Sequence, residues 1–408
     1  MNLSLSGSPK RRLAAGAAAV ALLSAPCAFA QQAPPAPPAA AAPAAPASNA
    51  MPYPSMGATL SANPNPMVFD AGPLGKIKAD GVLSGIGLWQ TDPAADAFSG
   101  LQQRHSYFDL SNAQLIINKD SGVIQFYVQL GLYSIPALGT PYYSSTRIPQ
   151  NTFYYAPQGF LKIAPNASFN LMVGALPTLV GAESTFSFQN MNIERGLLWG
   201  QEPSVSKGVQ ANYTKGPWAF SLALTDGYYS DTYTVVSGAV TYTFKNSDTL
   251  EFVGSGNASS SSRSSFATPL NQNNGKIFNL IYTHTKGPWT IQPYLQYGDS
   301  PNDPKTGAVA GKAWGGAILT KYSVTPTISI AARAEYMDSS GAGNLLGYGV
   351  GSKAWSLTLT PTYQKGIFFA RGEVSYVRVS DLTAGLAFGR FGTARDQVRT
   401  LAETGIIF

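Results

Sequence analysis

Val123 to Tyr133 divides into two unlike faces. Ile124, Phe126, Val128, Leu130 and Leu132 alternate with Gln125, Tyr127, Gln129, Gly131 and Tyr133, so an extended chain turns one set to each side. Such a strand lies between an apolar medium and a wet one. The pattern returns where Trp218, Phe220, Leu222 and Leu224 interleave with Ala219, Ser221, Ala223 and Thr225, and where Trp355, Leu357, Leu359 and Tyr363 interleave with Ser356, Thr358, Thr360 and Thr362. Alternation over about nine or ten residues, repeated along a chain, is the signature of an all-β, antiparallel up-and-down barrel that crosses a membrane.

From Lys76 onward about sixteen segments qualify as strands, an even number, as expected for a barrel with both ends on one side. They are 79–90, 107–118, 123–133, 153–163, 168–175, 207–213, 218–225, 234–244, 249–255, 277–285, 289–297, 313–322, 327–337, 352–364, 367–379 and 397–408. Their connections alternate in length. Lys119-Asp120-Ser121-Gly122, Lys245-Asn246-Ser247-Asp248, Ser323-Val324-Thr325-Pro326 and Lys365-Gly366 are short; 135–152, 257–275, 298–312, 338–351 and 380–395 are long. Short turns on one rim and long loops on the other fit a barrel in an outer membrane. Thr214-Lys215-Gly216-Pro217-Trp218 returns as Thr285-Lys286-Gly287-Pro288-Trp289, for which shared turn chemistry is a sufficient account.

Large aromatics mark the strand ends. Trp289 and Tyr297 share a face, as do Trp355 and Tyr363, and each pair spans about 20 Å of membrane normal once the strand tilt is included. With Trp218 and the terminal Phe408 they are the expected membrane girdle. A soluble sandwich would alternate too, but would not place large aromatics at strand ends.

If the apolar faces meet lipid, the opposite faces name the interior. Ile328, Ile330, Ala332 and Ala334 point out, so Ser329, Arg333 and Glu335 point in; Phe368, Val374 and Tyr376 point out, so Arg371, Glu373 and Ser375 point in. By the same parity Gln397, Arg399 and Glu403 face inward from the last strand and Glu251 from the ninth. An Arg or Lys facing lipid at mid-membrane would cost about 2–4 kcal/mol, which motivates the inward placement. Wall charges that merely pair across strands would look the same. A lining of mixed sign suits a water-filled passage better than a pocket for a greasy ligand. The longest connection, 176–206, holds Glu183, Asn190, Glu194, Arg195 and Glu202 beside Phe186, Phe188, Leu197, Leu198 and Trp199; a loop with so many apolar residues is expected to pack rather than wave in water.

Composition agrees. Charged residues make up 12% and hydrophobic residues 44%, against about 25% charged in typical soluble domains, yet no apolar run of helix-spanning length follows the N-terminus. Residues 1–30 read as a secretory signal: Lys10, Arg11 and Arg12, an apolar run from Leu13 to Leu23, then Ala28-Phe29-Ala30. Its removal takes Cys27, the single cysteine, and lowers the net charge of +6 by three, too little to argue for nucleic acid. Pro26 before Cys27 disfavours a lipid anchor. Residues 31–75, rich in alanine and proline, are expected to form a semi-extended periplasmic tether that acts as a spacer or touches the cell wall.

Several stretches resemble one family, the putative β-barrel porin-2, OmpL-like proteins. They are Gly174, Gly181 and Glu183, then 190–195 and Lys207-Gly208-Val209; Lys321-Tyr322, Arg333-Ala334-Glu335-Tyr336 and Asp338; and Arg371-Gly372-Glu373. The likeness covers most of the barrel. One departure falls before Arg195, where the family tends to show Tyr-Ser and this chain has Ile193-Glu194. Ile406 and Phe408 on one face also resemble the terminal sorting signal of outer-membrane barrels. In known porins the external loop after the fifth strand folds into the lumen, and by that resemblance Glu183, Glu194 and Arg195 are expected near a constriction facing Arg333 and Arg371. The resemblance implies passive, cofactor-free diffusion of small hydrophilic solutes or ions through the outer membrane of a Gram-negative cell, by a monomer or a trimer. Two alternatives stand beside it: a plugged structural or adhesive barrel, marked by a loop or tether filling the lumen, and an outer-membrane hydrolase. Only His105 and His284 are available as histidines, neither with an evident Ser or Asp partner, and no His or Cys cluster suggests a metal.

Overall fold

A computed structural model describes residues 59–408. The expected signal, and the tether as far as residue 58, lie outside the described residues.

Sixteen antiparallel strands close into a barrel. They are β1 Lys76–Gln90, β2 Ser106–Lys119, β3 Ile124–Tyr133, β4 Gln158–Ile163, β5 Phe169–Pro177, β6 Val205–Lys215, β7 Trp218–Thr225 and β8 Val235–Thr243, then β9 Thr249–Asn257, β10 Lys276–Lys286, β11 Trp289–Ser300, β12 Gly311–Thr325, β13 Ile328–Gly341, β14 Lys353–Lys365, β15 Phe368–Ser380 and β16 Asp396–Ile407. Each pairs with its sequence neighbour, and β16 closes on β1 from Arg399↔Gln90 to Ile407↔Val82. Closure leaves no open edge, which a bilayer requires because it offers backbone groups no hydrogen bonds.

Alternation sets which way the wall faces. On β7, Trp218, Phe220, Leu222 and Leu224 are exposed while Ala223 and Thr225 are buried; on β14, Leu357 and Leu359 are exposed while Ser356, Thr358, Thr360 and Thr362 are buried. In a soluble domain that order would be inverted. The apolar outer band is the lipid-facing surface. Short turns gather at one rim. Lys215 pairs with Trp218, Lys286 with Trp289 and Lys365 with Phe368, so two residues turn the chain. The first of them is Gly216, Gly287 or Gly366, at φ near +58, as a tight hairpin with glycine leading requires.

Two stretches differ from the sequence reading. β4 begins at Gln158, not Phe153: residues 147–151 form a helical turn, Tyr154 sits at φ +56, and Phe153 is buried with its ring 5.2 Å from that of Tyr229. An aromatic run that alternates on paper serves here to pack one external loop on another. The second is 59–75, counted with the tether. Met67–Asp70 forms a short strand against Lys76–Ala79 of β1, and Leu60 is buried.

Candidate functional site

The loop after β5, residues 178–204, has almost no regular structure, so its backbone needs partners other than a sheet ladder. Carboxylates of the wall supply them. Glu373 of β15 accepts the N–H groups of Ile193 (2.5 Å) and Glu194 (2.9 Å), and Glu335 of β13 accepts those of Leu197 (3.0 Å) and Leu198 (3.3 Å). Within the loop, Glu183 accepts the Gly196 N–H at 2.7 Å. A Cβ on residue 196 would lie 2.1 Å from Glu335 Oε1, so any larger residue there must push the carboxylates or the loop aside.

Arginines balance these acids. Arg333 Nη1 donates to Glu183 Oε1 (2.5 Å) and to the Glu194 carbonyl (2.8 Å), and its Nε lies 3.1 Å from Glu335 Oε2. Arg399 of β16 donates to the Glu194 carboxylate (2.7 Å), to Gln90 (3.0 Å) and to the Ala137 carbonyl (2.8 Å). Arg371 reaches the Ser187 carbonyl at 2.9 Å and lies 3.5 Å from Glu403, which accepts the Ser187 hydroxyl at 2.8 Å. The result is a charged belt joining the loop to β13, β15 and β16, with every member at or near full burial.

The belt differs in detail from the expected set. The Glu194 carboxylate meets Arg399, while Arg333 takes the Glu194 carbonyl, because the inward parity of β16 brings Arg399 beside the loop. Arg195 is fully buried, and none of its guanidinium nitrogens has a hydrogen-bond partner among the described residues; its Cζ stands 6.0 Å over the Trp199 ring. Glu251 points inward but stands apart, accepting the Thr241 hydroxyl at 2.7 Å. Sequence reasoning missed Ser187, Asn192 and Thr360. Asn192 donates to Thr360 at 2.7 Å, and Thr360 donates to Glu373 at 2.7 Å. Strand parity pointed to Thr360, but nothing in a coil marks Ser187 or Asn192. Asn190 ties the loop to itself, accepting from the Ser184 N–H (2.7 Å) and donating to the Ser184 and Phe186 carbonyls (both 2.8 Å).

The girdle residues sit on the outer face at strand ends. Trp218, Trp289, Tyr297, Trp355, Tyr363 and Phe408 are all partly exposed. Trp289 packs on Tyr322 at 4.6 Å, Trp218 on Tyr242 at 4.7 Å and Trp355 on Tyr376 at 5.1 Å between ring centroids. His284 does have an acidic partner, contrary to the sequence reading: its Nδ1 lies 2.9 Å from both carboxylate oxygens of Asp248. Tyr282 donates to the same carboxylate, and these two hydrogen bonds, Tyr282 first, hold the Asp248 carboxyl down to about 2. The group sits at a rim turn, and no serine among the described residues is a hydrogen-bond partner of it. Among the described residues no cluster of His, Cys, Asp and Glu is arranged to hold a metal.

Comparison with known proteins also returns an outer-membrane barrel. The family described as putative beta-barrel porin-2, OmpL-like, matches residues 76–408. The chain belongs to that family. Its match spans the whole barrel and begins at the first residue of β1. No curated protein matches. Among solved structures, the anion-selective porin from Comamonas acidovorans is similar at 10% identity and a TM-score of 0.54, covering 81% of this chain and 99% of that one. Outer-membrane expressed OmpT of Vibrio cholerae is similar at 11% identity and 0.54, covering 84% and 100%. The outer membrane channel DcaP of Acinetobacter baumannii is similar at 9% and 0.51, covering 81% and 97%. At such identities the likeness is one of fold. Family and fold together make this an outer-membrane porin.

Proposed function

We propose that the barrel gives passive diffusion of small hydrophilic solutes and ions, down their gradients, through a lumen narrowed where the loop after β5 meets β13, β15 and β16. The belt carries this reading: Glu183, Glu194, Arg195, Arg333, Glu335, Arg371, Glu373, Arg399 and Glu403 bring both charge signs to one level of a closed wall. Fixed charges of both signs create a field across a passage, which sorts solutes by charge as well as by size. The chain is exported by its signal along the Sec route, inserts through lipid contact at the aromatic girdle, and works without a cofactor, as a monomer or a homotrimer. A trimer form is described for OmpT of Vibrio cholerae. The alanine and proline tether spaces the barrel from the cell wall or touches it. Liposome swelling with neutral sugars of graded size tests the reading: a sharp size cut-off that rises when Glu183 and Arg333 are both shortened supports it, and failure of the smallest sugars to enter contradicts it.

One observation favours the alternative of a plugged barrel. The belt side chains are almost wholly withdrawn from solvent, and residues 59–61 contact both the lumenal loop and the rim. Under that reading no sugar enters and the belt acts as structural packing.

A further inference from the structure

The stretch 59–66 connects three parts of the molecule. The Thr59 hydroxyl donates to the Asn190 carbonyl of the lumenal loop at 3.0 Å. Leu60, 3% exposed, joins a buried apolar cluster that includes Val82 of β1, Phe369 of β15 and Ile407 of β16. By strand parity all three wall residues face the lumen, close to the rim of short turns. Apolar residues facing a water-filled passage need a cover, and Leu60 is part of it. One residue on, Ser61 exchanges two hydrogen bonds with the Gln364 side chain, its N–H donating at 2.7 Å and its carbonyl accepting at 2.9 Å.

An open pocket of about 460 Å³ is lined by Thr59, Ser61, Ala62 and Pro64 on one side and by the turns around Thr325 and Gly366 on the other. At its other end the segment is fixed, because Met67–Asp70 pairs with Lys76–Ala79 in four residue pairs and the Gly72 N–H donates to Asp70 at 2.9 Å. Between the two lies Asn63-Pro64-Asn65-Pro66, where Asn63 and Asn65 exchange two hydrogen bonds of 3.0 Å. The prolines limit φ and keep the residues before them extended, so this stretch is a short stiff arm joined to the strand Met67–Asp70.

We infer that residues 59–66 form a strap that swings on the Met67–Asp70 anchor and, when Leu60 is docked, narrows the periplasmic mouth. The inference rests on the reading of the barrel as a diffusion pore. Docking is a small-energy event, carried by one leucine side chain and three hydrogen bonds, two of them exposed. The tie to Asn190 couples the strap to the loop, since that residue's own side chain holds the loop turn together.

The test uses the full chain in planar bilayers. L60D and Q364A should shift the channel toward a higher current level with fewer closures. The double variant Ser61→Cys with Gln364→Cys, bridged by a short bis-maleimide, should remain in the lower level. Q364A guards against a folding defect in L60D, because it alters only exposed contacts. Conducting channels with indistinguishable traces in wild type, L60D, Q364A and the bridged variant would overturn the strap while leaving the pore intact. Absence of current in all four would overturn the pore reading and the strap together.

Discussion

At the scale of single residues, the belt is a set of buried charges whose partners are specific. Glu194 has Arg399 and Ser375; remove Arg399 and a carboxylate stays buried without its cation. Breaking a buried pair from one side typically costs about 3–5 kcal/mol, whereas replacing both partners can be close to neutral. R399M should therefore lower the melting temperature of the folded barrel clearly, and R399M with E194Q should recover most of the loss. A double variant as unstable as the single one would show that the pair contributes little. G196A tests the same region by shape. A methyl group would press on Glu335 Oε1, so the variant should fold, displace the loop and change ion preference in reversal-potential measurements; an unchanged preference would detach the belt from selection.

At the scale of elements, the rim turn between β8 and β9 is a pH-sensitive clasp. Asp248 titrates at about 2 in the fold against 3.8 for an unperturbed aspartate. A depressed carboxyl contributes stability that is fully present above about pH 4 and lost as pH falls through 2. Thermal stability should decline between pH 4 and pH 2, and D248N should flatten that decline; an equal slope in both proteins would remove the clasp from the account. The elements themselves were legible from period-two alternation, and all sixteen strands lie within a few residues of their expected positions. The exceptions have physical causes. Phe153-Tyr154-Tyr155 reads as a strand, yet a positive φ at Tyr154 and the packing of Phe153 on Tyr229 make it a loop contact. The 59–75 stretch reads as spacer because proline and alanine dominate nearby, but one leucine and one short strand seat it on the barrel. Inward parity identified the wall half of the belt, since it follows from the strands. Which loop residue meets which wall residue could not follow, because residues 178–204 have no period; hence Arg399 rather than Arg371 meets Glu194.

At the scale of the whole molecule, the closed wall, the apolar outer band and the charged inner belt are one arrangement viewed from two sides. Outward alternation makes the barrel soluble in lipid and turns Arg333, Glu335, Arg371, Glu373, Arg399 and Glu403 inward, where the loop after β5 uses the wall carboxylates to satisfy its backbone. On the proposed function this belt lines a conducting passage. Single-channel conductance of the purified, refolded protein in a planar bilayer under a salt gradient tests it most directly. A pore lined by this belt gives steady current steps whose size or ion preference changes when Glu183, Glu194, Arg333 or Arg371 is neutralised. A verified folded barrel that passes no current would contradict it and leave the plugged barrel as the reading.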